Sequence, residues 1–453
     1  MLIHCRHMGF RILFLGVWGL CLTLIYGCDA PPAPTGEKAA VLPQSGGQLT
    51  IMVAWPHVRA AEKLAQLFQQ ETGAVIHILK VEYYDLLDDT LKGTTSSQPP
   101  ADIYQVWYVN LGRLVEEGAI APLDDFYAKH RQSLDLPDLI PHLFDHYTLY
   151  RGKRWTVPFD GDIHVLFYRK SLLAKHGLAP PRTWQEYLHV SRTITEHERK
   201  NRIYGAAIMC EPAPIIIIGS FVNRLGGFDG TLISKDQEPQ IDTPEAVAAL
   251  EALVAHARYA LPTPLETDFA VARDAFLQGK VAMVEQWTDI GIMAEDPRQS
   301  IVRGDWGVVP IPGADKGDVE SAGAGLAPLN SGYALAISSA SPKRELAEQF
   351  LAFSIRPDIA LQLNLIPGAG GLDPIRKSIL DSPEFQAFAP QVSRVEKQLL
   401  DGNVVAYPNH PAVPNLLDDL SDAIVAALEG RQSPTEALKG CQERWNAQLK
   451  RWR

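Results

Sequence analysis

The chain has 453 residues, with 53 acidic against 42 basic side chains, a formal net charge of −11, 46% apolar and 21% charged residues. That length suits two domains, each with its own core, and the acidic balance argues against a nucleic-acid binder, which carries an excess of Lys and Arg. HExxH, GxSxG and Walker A motifs are missing, and Gly323-Ala324-Gly325 lacks the third glycine of a dinucleotide loop, so an ordinary nucleotide enzyme is not expected.

Arg6 and Arg11 precede an apolar run from Ile12 to Ile25. The run is short of the about 20 residues that span a bilayer but has the length of a signal-peptide core. It ends in Leu24-Ile25-Tyr26-Gly27-Cys28, which resembles a bacterial lipobox, where the cysteine is lipidated and becomes the mature N-terminus. A plain secretory signal or an uncleaved anchor is the alternative. The expected organisation is a signal peptide over 1–27, then lipidated Cys28 and a Pro-rich tether through 46, holding the body at the cell envelope. Cleavage there removes two basic residues and no acidic one, taking the charge from −11 to −13. It leaves Cys210 and Cys441 in the body, either as a disulfide of an oxidising compartment or as two core thiols. With no CxxC and no Cys/His cluster, neither a structural zinc site nor any other metal or cofactor is expected.

The body opens on a strand-like run, Gln48 to Trp55, broken by Pro56. Ala61, Leu64, Ala65 and Phe68 recur at helical spacing up to a capping Gly73, and Ala74–Val81 reads as the next strand. Strand, helix and strand in this order predict a βαβ unit and a parallel sheet. After Pro99-Pro100 comes a third strand, Asp102–Trp107, and the chain reads as a doubly wound α/β fold. In such sheets ligands sit at the carboxyl ends of strands, where Trp55 and Trp107 fall. Ile163–Tyr168 is a further strand, and helices are predicted from Thr183 to about His197, from Asp242-Thr243-Pro244-Glu245, and from Ser341-Pro342. Short strands are predicted at Val281–Val284, Trp306–Pro310 and Tyr333–Ile337, and Ser433-Pro434-Thr435-Glu436 is a capping box.

Taken in order, these segments resemble the family 1 extracellular solute-binding proteins, the sugar-capturing subunits of bacterial ABC importers, of the maltose-binding type. The resemblance is carried by Lys63–Phe68 with Glu71-Thr72-Gly73, Pro100–Ile103 with Pro122–Asp125, Lys153–Asp160, Leu166–Lys170, Pro181–Trp184, Phe276–Met283, Trp306–Pro310 and Gly332–Ser338. It implies two α/β lobes joined by crossing strands: 47–160 in lobe 1, 161–330 in lobe 2, 331–377 returning to lobe 1, and 378–453 as the C-terminal helices of lobe 2. It also implies membrane permease subunits as partners and a solute held between the lobes. A mono- or oligosaccharide is the first expectation for that solute, a polyamine or other small molecule the alternative, and a glycoside hydrolase a third reading.

A sugar needs oriented partners for its hydroxyls and a flat apolar surface for its C–H face, which Trp, Tyr and Asp supply. The resemblance places Trp107 and Trp287 as stacking residues and Asp162 as a hinge carboxylate, with Asp160 two positions earlier on the same side of an extended segment. Trp55 ends the first strand, Asp289 follows Trp287, and Tyr333 stands at the returning crossover. The glycine-rich stretches Gly323–Gly332 and Pro367–Gly371 could bring backbone close to a ligand. Trp184 and Trp445 read as packing residues. At Asn415-Leu416-Leu417 relatives of the maltose type place an aromatic where this chain has aliphatics, which argues against a long maltodextrin.

Overall fold

Leu49, Ile51 and Val53 alternate with residues facing the opposite side, and the segment forms a strand buried along most of its length. The computed structural model describes residues 46–94, 99–234, 236, 238–314, 332–368, 370–400, 405 and 407–450. Cys28, the segment before it and Trp452 therefore lie outside the described residues, as does nearly all of the Gly323–Gly332 stretch. Among the described residues, six strands precede the first crossing: β1 (Gln48–Ala54), β2 (Val75–Val81), β3 (Ile103–Trp107), β4 (Leu149–Tyr150), β5 (Lys153–Arg154) and β6 (Val157–Asp160). Five follow: β7 (His164–Arg169), β8 (Tyr204–Ala207), β9 (Val281–Trp287), β10 (Trp306–Val309) and β11 (Tyr333–Ile337).

The strands build two larger sheets, of order β2-β1-β3-β11-β6 and β10-β7-β9-β8, while β4 and β5 pair as a hairpin. The predicted βαβ unit is present. Helix Val58–Thr72 buries Ala60, Ala61, Leu64 and Phe68, and Gly73 ends it in the left-handed region at φ 77°. β2 then pairs parallel to β1, and β3 lies parallel on β1's other side. Parallel pairing recurs in the second sheet between β8 and β9, and the remaining pairs depart from it. β11 runs antiparallel to β3 and β6, and in the second sheet β7 is antiparallel to both β9 and β10. Strands that arrive by crossing from the other sheet are not bound by the crossover geometry of a βαβ unit, so their direction is not set by local sequence.

Apolar residues on opposite faces of the first sheet feed separate clusters, one around Ile51, Phe68, Phe350 and Leu351, the other around Met52, Tyr104 and Leu114. The second sheet packs under a larger core in which helices Val413–Leu428 and Pro434–Leu449 lie against Pro214–Gly227 and Pro244–Ala257. Leu416, Leu417, Trp184 and Trp445 are all buried there. Within this core the fully buried Arg224 forks onto Glu285 at 2.8 and 3.1 Å and covers the Trp184 ring at 4.4 Å. The pairing holds β9 in place two residues before Trp287.

Thr183, Thr243 and the Ser433/Glu436 capping box cap their helices as expected. The helix predicted from Ser341 instead begins at Arg344, because the Ser341 hydroxyl donates to Asp102 at 2.7 Å and the Lys343 ammonium reaches the same carboxylate at 3.0 Å. Cys210 and Cys441 are both buried and free, which closes the disulfide alternative. No helix among the described residues is long and apolar enough to cross a membrane.

Candidate functional site

Three residues, Gly161, Asp162 and Ile163, carry the chain from β6 in the first sheet to β7 in the second. The Gly161 N–H donates to the Asp373 carbonyl at 3.2 Å, and a side chain at 161 would run into the Pro374 carbonyl. Gly332, ahead of β11, is pressed in the same way against the Asp160 carbonyl and donates its N–H to the Tyr147 hydroxyl at 2.8 Å. Glycine at these two positions lets three backbone segments cross in contact. The crossing brings Asp160, Asp162 and Asp373 together from places more than 200 residues apart in sequence.

A cavity of about 280 Å³ opens beside the crossing. Trp55 and Tyr83, at the carboxyl ends of β1 and β2, form one wall with Tyr333 at the start of β11. Phe269, at the start of helix Phe269–Leu277, Ile215, Ile216 and Trp287, at the carboxyl end of β9, form the other. The walls touch: Trp55 stacks on Phe269 with ring centroids 5.4 Å apart, and Tyr83 meets the same ring edge-on at 5.7 Å. Trp287 stands nearly perpendicular to Phe269 at 6.3 Å and to His164 at 4.5 Å, and its indole N–H is buried with no acceptor among the described residues. Gly370 and Gly371 close one side with backbone.

The polar floor is a chain of hydrogen bonds. Gln105 accepts from the Ala54 N–H through its side-chain oxygen at 2.8 Å, so its amide nitrogen is the group facing His57 Nδ1, also at 2.8 Å. Nδ1 therefore accepts, and Nε2–H donates to Asp160 Oδ2 at 2.8 Å. The other Asp160 oxygen accepts the Asp373 N–H at 2.7 Å. Asp373 in turn accepts from the Thr288 hydroxyl and from the Ile163 N–H. His57, Asp160 and Asp162 have ligand atoms close enough to share a cation. Both His57 nitrogens are already engaged, however, so the ring has no lone pair to give a metal in this arrangement.

Crowding of carboxylates shifts their titration. Burial, reinforced by Asp160, Asp373 and Asp289, pushes Asp162 well above the ordinary aspartate range. Burial also raises Asp373, with Glu396 and Asp160 adding to it, and lifts Asp289 to about 6 against the opposing charge of Arg273. Glu396, fully buried on helix Val392–Leu400, is raised to about 7 by burial and the Asp160 charge, against the opposing Thr288 hydroxyl.

Six of the sequence candidates, Trp55, Asp160, Asp162, Trp287, Asp289 and Tyr333, thus line one cavity. Trp107 does not line it. Its position pairs with Tyr333 across β3 and β11, and its ring lies 5.8 Å from Tyr407, edge to face. Sequence reasoning missed His57, Tyr83, Phe269, Arg273 and Asp373. His57 and Tyr83 had a usable signal, each standing just past the carboxyl end of a parallel strand. Phe269 looks like any first residue of a helix, and nothing local marks Asp373.

A model of the bacterial extracellular solute-binding protein family matches residues 30–360. A Sinorhizobium fredii protein named as a probable amino-acid ABC transporter periplasmic-binding protein is 21% identical over 96% of this chain and 95% of its own length. The diacetylchitobiose-binding protein DasA of Streptomyces coelicolor is 22% identical, covering 96% of this chain and 97% of that one. A crystal structure of an ABC transporter solute-binding protein from Agrobacterium radiobacter K84 in complex with ribitol superposes with a TM-score of 0.78 at 26% identity, over 89% of this chain and 99% of that one.

Proposed function

The chain belongs to the bacterial extracellular solute-binding protein family, and from that premise we propose that it captures a small polyhydroxylated solute, a sugar or polyol, between its lobes and presents it to the permease of an ABC importer. The observation that carries this reading is the cavity itself. Indole and phenyl faces from both walls offer flat apolar surfaces, and Asp160, Asp162 and Asp289 offer acceptors for hydroxyls. Its volume of about 280 Å³ lies at the lower end of small-molecule sites, which run from about 300 Å³. A solute of one or two rings fits such a space better than a long maltodextrin. The ligands named for the relatives, ribitol and diacetylchitobiose, are of that size class. Lipidation at Cys28 belongs to the same proposal and would keep the binding protein beside its permease.

Delivery in this reading depends on hinge closure, with the solute favouring the closed arrangement over an open one. Next to Tyr83 of the cavity wall, the Tyr84 hydroxyl, beyond β2, donates to Glu211, beyond β8, at 2.5 Å. This bond forms only when the two sheets are close. Tyr84→Phe is expected to weaken solute affinity about fivefold, roughly 1 kcal/mol, since Tyr84 is 47% exposed and water competes for the bond. Calorimetry on the variant checks it, and an unchanged affinity would show that the bond does not bias closure.

The function is tested by tryptophan fluorescence of a chain beginning at Asp29, titrated with ribitol, hexitols, hexoses and disaccharides. Eight tryptophans remain after residue 28, two of them in the cavity walls. A saturable change with at least one solute, which is recovered chemically unaltered, is the expected result. No saturable change and no shift in melting temperature across the panel would overturn the sugar or polyol reading.

A further inference from the structure

Of the four aspartates lining the cavity, three have a compensating partner. Asp160 accepts from His57 and from the Asp373 N–H, Asp373 accepts from Thr288 and the Ile163 N–H, and Asp289 faces the charge of Arg273. Asp162 has no hydrogen-bond or cationic partner among the described residues. Its charged neighbours are the other three carboxylates. Arg273 pairs with Asp274 at 2.8 Å and is not among the charges acting on Asp162, and Arg59 is exposed. An unpaired carboxylate among like charges beneath aromatic walls is a poor arrangement for an empty site and a good one for a cation.

Resting on the solute-capture reading above, we infer that the cargo is a polyhydroxylated solute bearing a protonated amine, an amino sugar or amino polyol, with its ammonium group on Asp162. The hydroxyls and ring face meet Trp55, Trp287 and the remaining carboxylates, as for any sugar. The ammonium supplies what a hydroxyl cannot, a positive charge beside the uncompensated aspartate, in a cavity whose aromatic lining also favours a cation. Because Asp162's titration is raised in the unliganded protein, binding of a cation there would be coupled to loss of its proton.

Calorimetry at pH 7 on matched pairs tests the inference: D-glucosamine against D-glucose and N-acetyl-D-glucosamine, and N-methyl-D-glucamine against D-glucitol. In at least one pair the amine is expected to bind tenfold or more tightly than its neutral counterpart. Asp162→Asn should bring that ratio toward one, with the variant's melting temperature confirming that it folds. Neutral members binding as tightly as the amines, or a ratio unaffected by Asp162→Asn, would overturn the inference and leave sugar or polyol capture standing. A wild-type chain that bound no member of either pair would overturn the inference, while sugar or polyol capture stands or falls on the wider panel.

Discussion

Replacing Trp55 and Trp287 together with alanine is expected to abolish measurable solute binding, a loss of about 4 kcal/mol or roughly a thousandfold. Each ring ends a strand, and each faces Phe269 at the cavity, at 5.4 and 6.3 Å. A solute ring placed there would lose its apolar cover on both sides, and the vacated volume would fill with water rather than collapse. The single variants should each cost about 2 kcal/mol of affinity, and Trp287→Ala should also lower stability because its indole packs against His164. Trp107→Ala is the control. That ring packs on Tyr407 and is not part of the cavity lining, so its loss should lower the melting temperature with little change in affinity. The reverse pattern, with Trp107 controlling affinity and the other two only stability, would move the site elsewhere.

Glu396→Gln is expected to stabilise the unliganded protein at alkaline pH. Glu396 is fully buried, with only the Thr288 hydroxyl favouring its ionised form, and its titration is raised to about 7. In the unfolded chain a glutamate titrates near 4.3. Between those values the folded state holds a proton that the unfolded state has released, so this residue's contribution is complete below about pH 4 and is lost as pH rises through 7. Above pH 7 the cost approaches about 4 kcal/mol, which the neutral amide avoids. Urea denaturation at pH 5 and pH 8 is the check. The variant's advantage should be about 1 kcal/mol at pH 5 and grow to about 4 kcal/mol at pH 8, and an advantage equal at both pH values would show that charge is not the cause. Asp289, raised to about 6, acts in the same direction, so the empty wild-type protein should itself lose stability from pH 5 to pH 8.

Much of this architecture was legible in the chain. The run Gln48–Ala54, the stripe Ala61, Leu64 and Phe68 and the terminating Gly73 are local patterns, and the elements they form are set by local physics. Trp55 was suggested by the rule that an α/β sheet exposes its cleft at the ends of strands, and Trp287 by the family resemblance. The same rule and the resemblance also pointed to Trp107, whose ring meets Tyr407, 300 residues further on, and whose position pairs with Tyr333. The polar floor was the least legible part. Asp373 reaches Asp160 only because Gly161 and Gly332 let three crossings touch, and no periodicity within any one segment carries that information. Likewise, Glu396 reads as one more charge on an amphipathic helix until the fold buries it.

A crystal structure of the chain with the tightest-binding solute of the panel is the measurement that bears most directly on capture between the lobes. The expected result is density for the solute in the cavity, with one face against Trp55 or Trp287 and a polar group on Asp162. Solute bound outside that cavity, or a cavity filled only by water beside a solute on the surface, would contradict it.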